Sequence, residues 1–200
     1  MAAPIEFYFD FSSPYGYVAS AKIDAIAAKH GREVLWRPYL LGVPFKKAGI
    51  QPLVNVPMKA EYSLRDFARN ARFHGVEYRH PTRFPTGTTA AVRAYYWIES
   101  TDAARAKAFA QALFRVYFID DRDISDPETS VAVAATLGFA ADTVRAALAD
   151  EAVKNRTREI VDAAVAKGAF GSPFFFVDGE PFWGSDRLDQ IERWIATGGW

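Results

Sequence analysis

Phe9-Asp10-Phe11-Ser12-Ser13-Pro14-Tyr15-Gly16-Tyr17 is the stretch on which the fold turns, because one periodicity ends in it and another begins. Upstream, Ile5, Phe7, Phe9 and Phe11 alternate, which places them on one face of a strand from Ile5 to Phe11. Ser12, Ser13 and Pro14 punctuate it. Downstream, Val18, Ile23, Ile26 and Ala27 recur at helical spacing from Pro14 to His30, and Gly31 is a natural stop. Glu33 to Pro38 reads as a second strand. The start of the chain is therefore strand, helix, strand, with a crossover long enough for parallel pairing.

The far end has a different pattern. Phe174 to Val177 and Glu180 to Trp183 are two short apolar runs joined by Asp178-Gly179, a strong hairpin signal. Asp186 can then cap a last helix running through Thr197, with Leu188, Ile191 and Ile195 on its inner face. Between the two ends everything reads as helix: Glu61–Phe73, Thr88–Ser100, Ala103–Ile119, a helix opened by Asp126-Pro127 and closed by Gly138, then Asp142–Ala149 and Ala152–Lys167. Strands at both ends can share a sheet only if the helical block is an insertion. The expected division is a discontinuous α/β domain, 1–40 plus 168–200, interrupted by an all-helical domain, 41–167.

Composition narrows the chemistry. Lys plus Arg and Asp plus Glu both number 24 among 200 residues, so nothing suggests the basic footprint of a nucleic-acid binder. There is no cysteine, which excludes disulfides, thiolate metal sites and a cysteine nucleophile. His30, His74 and His80 are not spaced as metal ligands on one helix face. No apolar run approaches the roughly 20 residues of a membrane span, and Met-Ala-Ala-Pro lacks the basic start of a signal peptide. The expectation is a cytoplasmic protein. Aromatic residues in the helical block permit a homodimer.

Three constellations carry chemistry. Ser13 stands where a strand ends and a helix begins; it suits an N-cap with Pro14 in the first turn. Free amides and the positive helix end converge there, which favours an anion such as a thiolate. Capping alone accounts for the residue equally well. In Gly171-Ser172-Pro173-Phe174, a proline enters a strand and gives up a ladder donor. A cis bond would expose the Ser172 backbone to a ligand, but only about 5–6% of X-Pro bonds are cis. In Phe182-Trp183-Gly184-Ser185-Asp186, the last two side chains can cap a helix or hold an ammonium group; spacing does not choose.

Together these segments resemble the 2-hydroxychromene-2-carboxylate isomerase family, kin of kappa-class glutathione transferases and of the disulfide oxidoreductase DsbA. The best-matched parts are Phe7-Tyr8-Phe9-Asp10-Phe11-x-Ser13-Pro14-Tyr15, Phe170-Gly171-x-Pro173 and Trp183-Gly184-x-Asp186-Arg187-Leu188. The resemblance implies a thioredoxin-like fold, β-α-β then β-β-α, split by a large helical insertion. DsbA-like proteins carry a CxxC where this chain has Ser13-Pro14-Tyr15-Gly16, so a thiol must come from a bound cofactor. In the family that cofactor is glutathione, with the serine matching Ser13 facing its sulfur.

The resemblance further implies that Pro173 is cis and that the Ser172 backbone pairs with the glutathione peptide. Trp183, Ser185 and Asp186 fall in the segment that holds the γ-glutamyl end. Lys46 and Lys59 match basic positions near the substrate or the glutathione carboxylate. The implied reaction converts 2-hydroxychromene-2-carboxylate, a small aromatic carboxylate, to trans-o-hydroxybenzylidenepyruvate. Two departures fall where substrate should bind. Gly49-Ile50 stands where relatives often have Gly-Asn, with Asn55 nearby but out of register. Thr86-Gly87 follows Phe84-Pro85 where many relatives have Asn. These departures leave room for a kappa-like transferase or for a non-catalytic binding module.

Overall fold

The computed structural model describes residues 3–200. Strands β1 (Ile5–Phe9), β2 (Val34–Pro38), β3 (Phe174–Val177) and β4 (Glu180–Trp183) form one sheet in the order β2-β1-β3-β4. β1 runs parallel to β2 and antiparallel to β3, and β3 pairs antiparallel with β4 across Asp178-Gly179. The two ends of the chain thus meet in one sheet, as alternation at one end and the hairpin signal at the other require.

The helices are α1 (Pro14–Ser20), α2 (Ile23–Lys29), α3 (Gly42–Ala48), α4 (Lys59–Phe73), α5 (Thr89–Thr101), α6 (Ala103–Phe118), α7 (Pro127–Thr136), α8 (Ala141–Ala149), α9 (Glu151–Ala166) and α10 (Leu188–Thr197). None is long and apolar enough to cross a membrane. Most follow the sequence pattern, and Asp126 caps α7 by accepting from the Glu128 amide at 3.0 Å.

Five segments depart from it. The first strand stops at Phe9, because Asp10 turns its carboxylate to loop amides. The first helix is two helices: the Ser20 hydroxyl bonds back to the Tyr17 carbonyl at 2.7 Å, where α1 ends. The helix α3 was not anticipated, and residues 74–88 form an irregular connection containing a cis Phe84–Pro85 bond. Asp186 does not cap the last helix. Ser185–Arg187 is a 3₁₀ turn, and α10 starts after it without a side-chain cap.

The core explains why sheet and helices hold together. On one face Phe7 stacks on Phe175 at 5.1 Å and meets Trp36 edge-on at 5.4 Å. Phe9 and Phe11 then pack on Phe114 of α6 at 5.4 and 5.3 Å, carrying the same apolar core into the helical block. The other face, Tyr8, Phe174 and Phe176, is covered by Val161 and Ala164 of α9. With both faces covered, every one of these rings is removed from water.

Candidate functional site

The end of β1, the start of α1 and the loop before β3 meet at the floor of a cleft of about 750 Å³. Ser13 is the N-cap of α1. Its Oγ accepts from the Gly16 amide at 3.0 Å and donates to the Ser172 carbonyl at 2.8 Å. The Ser172–Pro173 bond is cis, the conformation the resemblance implied and composition alone disfavoured. Ser172 Oγ accepts from the Asp10 amide at 2.9 Å, which locks the proline loop to the end of β1. Tyr39 adds a second lock by donating to the Gly171 carbonyl at 2.7 Å.

Close packing sets two glycines. A Cβ on Gly16 would stand 2.7 Å from Ser172 Oγ, so only glycine lets α1 and the proline loop approach this closely. A Cβ on Gly171 would stand 2.1 Å from Trp183 Nε1. The Trp183 ring therefore lies over Gly171, edge-on to Phe170 at 4.9 Å, and stays 57% exposed at the cleft wall.

Asp10, within the first of these motifs, is the hub of the site. It is 4% exposed. One carboxylate oxygen accepts from the Ser12 amide at 2.9 Å and the Ser12 hydroxyl at 2.8 Å. The other accepts from the Leu41 amide at 2.9 Å and the Thr88 hydroxyl at 3.2 Å. It thus ties α1, the entrance to α3 and the start of α5 to one point. Burial pushes its pKa above the ordinary carboxyl value, against the opposing pull of these four donors. A carboxylate between two buried phenylalanines of a strand was the available signal, since such a group must find donors.

Tyr15 lines the cleft beside Ser13 and donates to Asp66 of α4 at 2.5 Å. Burial, then the bond to Asp66, push its phenol well above the ordinary value, so it stays a neutral donor. Among the described residues, neither the Tyr15 amide nor the Ser172 amide meets a backbone or side-chain acceptor.

Of the residues singled out from sequence, Ser13, Asn55, Lys59, Ser172 and Trp183 line the cleft, whereas Pro173, next in the chain to Ser172, does not. Lys46 does not line it; it lies exposed near the end of α3. Ser185 is buried and donates to Asn70 Oδ1 of α4 at 3.0 Å, so its hydroxyl proton is already engaged. Asp186 is exposed, and its carboxylate stands 3.4 Å from Arg187. Ile50 and Thr86 line the cleft, whereas Gly87 lies outside it.

The residues present suit a peptide-like thiol. Two unpaired amides and a hydroxyl sit at the floor, the chain has no thiol of its own, and the volume falls within the roughly 300–1,000 Å³ of small-molecule sites.

Comparison with known proteins agrees with this geometry. The family described as "DSBA-like thioredoxin domain" matches residues 4–196. A protein of Sphingobium xenophagum named 2-hydroxychromene-2-carboxylate isomerase is 29% identical over 199 residues, covering 98% of this chain and 99% of its own. Glutathione S-transferase kappa 1 of Rattus norvegicus is 26% identical over 209 residues, covering 96% and 92%. A solved structure of 2-hydroxychromene-2-carboxylate isomerase superposes with a TM-score of 0.85 at 26% identity, covering 96% of this chain and 94% of that one.

Proposed function

The chain belongs to the DSBA-like thioredoxin domain family, and from that premise we propose that it is a glutathione-dependent enzyme that isomerises a conjugated aromatic carbonyl compound about its double bond. The observation that carries this reading is the replacement of both redox cysteines at a cleft floor that keeps the fold's cis-proline loop against Ser13. Dithiol exchange is chemically closed to such a chain, while the scaffold for a peptide thiol is intact.

Glutathione held here would supply a nucleophilic thiolate for reversible addition to a conjugated carbon, a chemistry in which no thiol would be consumed. The protein's part is to hold and to polarise. The Ser172 amide beside Pro173 offers an extended peptide one backbone donor. The Ser13 hydroxyl and the free Tyr15 amide are donors for a sulfur anion, lowering the proton affinity of a thiol placed there. Asp186, exposed beside the cleft, offers a carboxylate to an ammonium group, and Lys59 offers a cation to a carboxylate. The Trp183 ring gives a wall for the body of the peptide.

Conversion of 2-hydroxychromene-2-carboxylate to trans-o-hydroxybenzylidenepyruvate is the reaction to assay first, since the isomerase relative bears that name. The kappa-class relative, of similar identity, favours a second reading in which the conjugate is released. Following product and total free thiol together separates the two. Constant thiol with accumulating trans product supports isomerisation, and stoichiometric thiol loss supports transfer. Calorimetry with glutathione tests the shared premise: binding weakened by Asp186→Ala is expected, and no binding to the wild-type protein would defeat both readings.

A further inference from the structure

The cleft has two unlike halves. The floor around Ser13 and Ser172 is polar. A second part of the lining, from α3, the 3₁₀ turn Leu53–Asn55 and the irregular connection before α5, presents Phe45, Ile50, Leu53, Val54, Phe84 and Pro85. Charge is scarce throughout. Among the described residues, only two charged side chains line the cleft, Asp10 and Lys59. Asp10 is buried, with both oxygens committed to four donors, and faces a ligand as nothing more than part of the floor. Lys59 is therefore the one lining cation among the described residues, since Lys46 lies outside the lining.

Resting on the glutathione reading, we propose that the acceptor half of the cleft takes an uncharged aromatic enone rather than a carboxylate-bearing one. Glutathione carries two carboxylates of its own. A carboxylate substrate adds a third, and one lining cation cannot serve them all. Whichever carboxylate Lys59 takes, a substrate carboxylate moved from water to the wall of Phe45, Ile50 and Phe84 loses its hydration without an ion partner, which is strongly unfavourable. A phenyl ring is favoured by that same wall. Gln51 and Asn55 also line the cleft, and their side-chain amides can donate to a ketone oxygen, the atom that gathers charge when sulfur adds. Ile50 is the position to test, because it stands 44% exposed within this apolar lining.

The experiment compares cis-benzylideneacetone with cis-benzylidenepyruvate, two enones that differ chiefly in the carboxylate, each with glutathione and each corrected for its spontaneous rate with glutathione alone. The expected wild-type result is a kcat/KM at least about tenfold higher for the ketone, the equivalent of one lost charge partner. Ile50→Lys should narrow or reverse that ratio, with glutathione affinity followed by calorimetry on the same samples. An equal ratio in the wild-type protein, or preference for the pyruvate, would overturn the proposal whether or not the variant folds. Absence of glutathione binding on the same samples would instead strike the reading on which it rests.

Discussion

Ser13→Ala removes one acceptor and one donor from the cleft floor, and the structure lets both losses be sized. The Gly16 amide loses its 3.0 Å cap, at a cost of about 1 kcal/mol for an ordinary N-cap. The Ser172 carbonyl loses its 2.8 Å partner, worth about another 1 kcal/mol. Stability should therefore fall by about 2 kcal/mol, less whatever water in the cleft restores. The effect on chemistry is smaller than a free hydroxyl would give, because Ser13 has one proton and already donates it to Ser172. To serve a thiolate the hydroxyl must turn away from that carbonyl. A hydrogen bond to a charged group contributes about 1.5–3 kcal/mol, and the bond given up about 1, which leaves roughly 0.5–2 kcal/mol. At 1.36 kcal/mol per tenfold, turnover should drop about two- to thirtyfold. The pKa of bound glutathione should rise by about one unit, since one unit corresponds to the same 1.36 kcal/mol. Urea unfolding measures the first effect; isomerase rate and thiolate absorbance against pH measure the second. A variant that unfolds at lower urea yet keeps the wild-type rate and thiol pKa would refute the argument and leave Ser13 a helix cap.

Two further outcomes follow from the floor of the cleft. Asp10→Asn must turn an amide NH₂ toward either the Ser12 or the Leu41 backbone N–H, and a buried N–H so orphaned costs about 1–3 kcal/mol. Because the folded-state pKa of Asp10 is raised above the unfolded value by burial, the native state keeps its proton longer, and wild-type stability declines as pH rises from the unfolded to the folded pKa. The variant lacks that slope, so its deficit should be largest at the acid end and shrink as pH rises; a deficit that grows instead refutes the assignment. Gly171→Ala should push the Trp183 ring off its seat, altering its fluorescence and weakening glutathione binding several-fold, with a stability loss of about 1–3 kcal/mol for overpacking. A difference spectrum against Trp183→Phe isolates that ring among the five tryptophans, and an unchanged spectrum and affinity would show that it does not move.

How much of this was legible in the sequence depends on how far apart the partners lie along the chain. Alternation in Ile5–Phe9 and the Asp178-Gly179 hairpin are local signals, and the sheet follows them. Ser13 as a helix cap is equally local, and it caps. What failed was decided at long range. Ser185 and Asp186 have the composition of a cap before α10, but Asn70, far away on α4, takes the Ser185 hydroxyl, and the chain tightens into a 3₁₀ turn instead. Lys46 sits at an expected number, but the unanticipated helix α3 holds it on exposed surface while Phe45 lines the cleft. Asp10 looked like a member of a motif and is a junction, because its partners Leu41 and Thr88 come from segments that periodicity cannot bring together. Gly16 is the sharpest instance. Within its own helix nothing requires glycine, and a host helix would lose about 0.5–1 kcal/mol by having one there. Its reason is Ser172 Oγ, which would stand 2.7 Å from a Cβ at this position. The residue that lets α1 touch the proline loop is thus unfavourable by local propensity and necessary by tertiary contact. That conflict between levels marks the place where the fold gives up helix stability to build a binding floor.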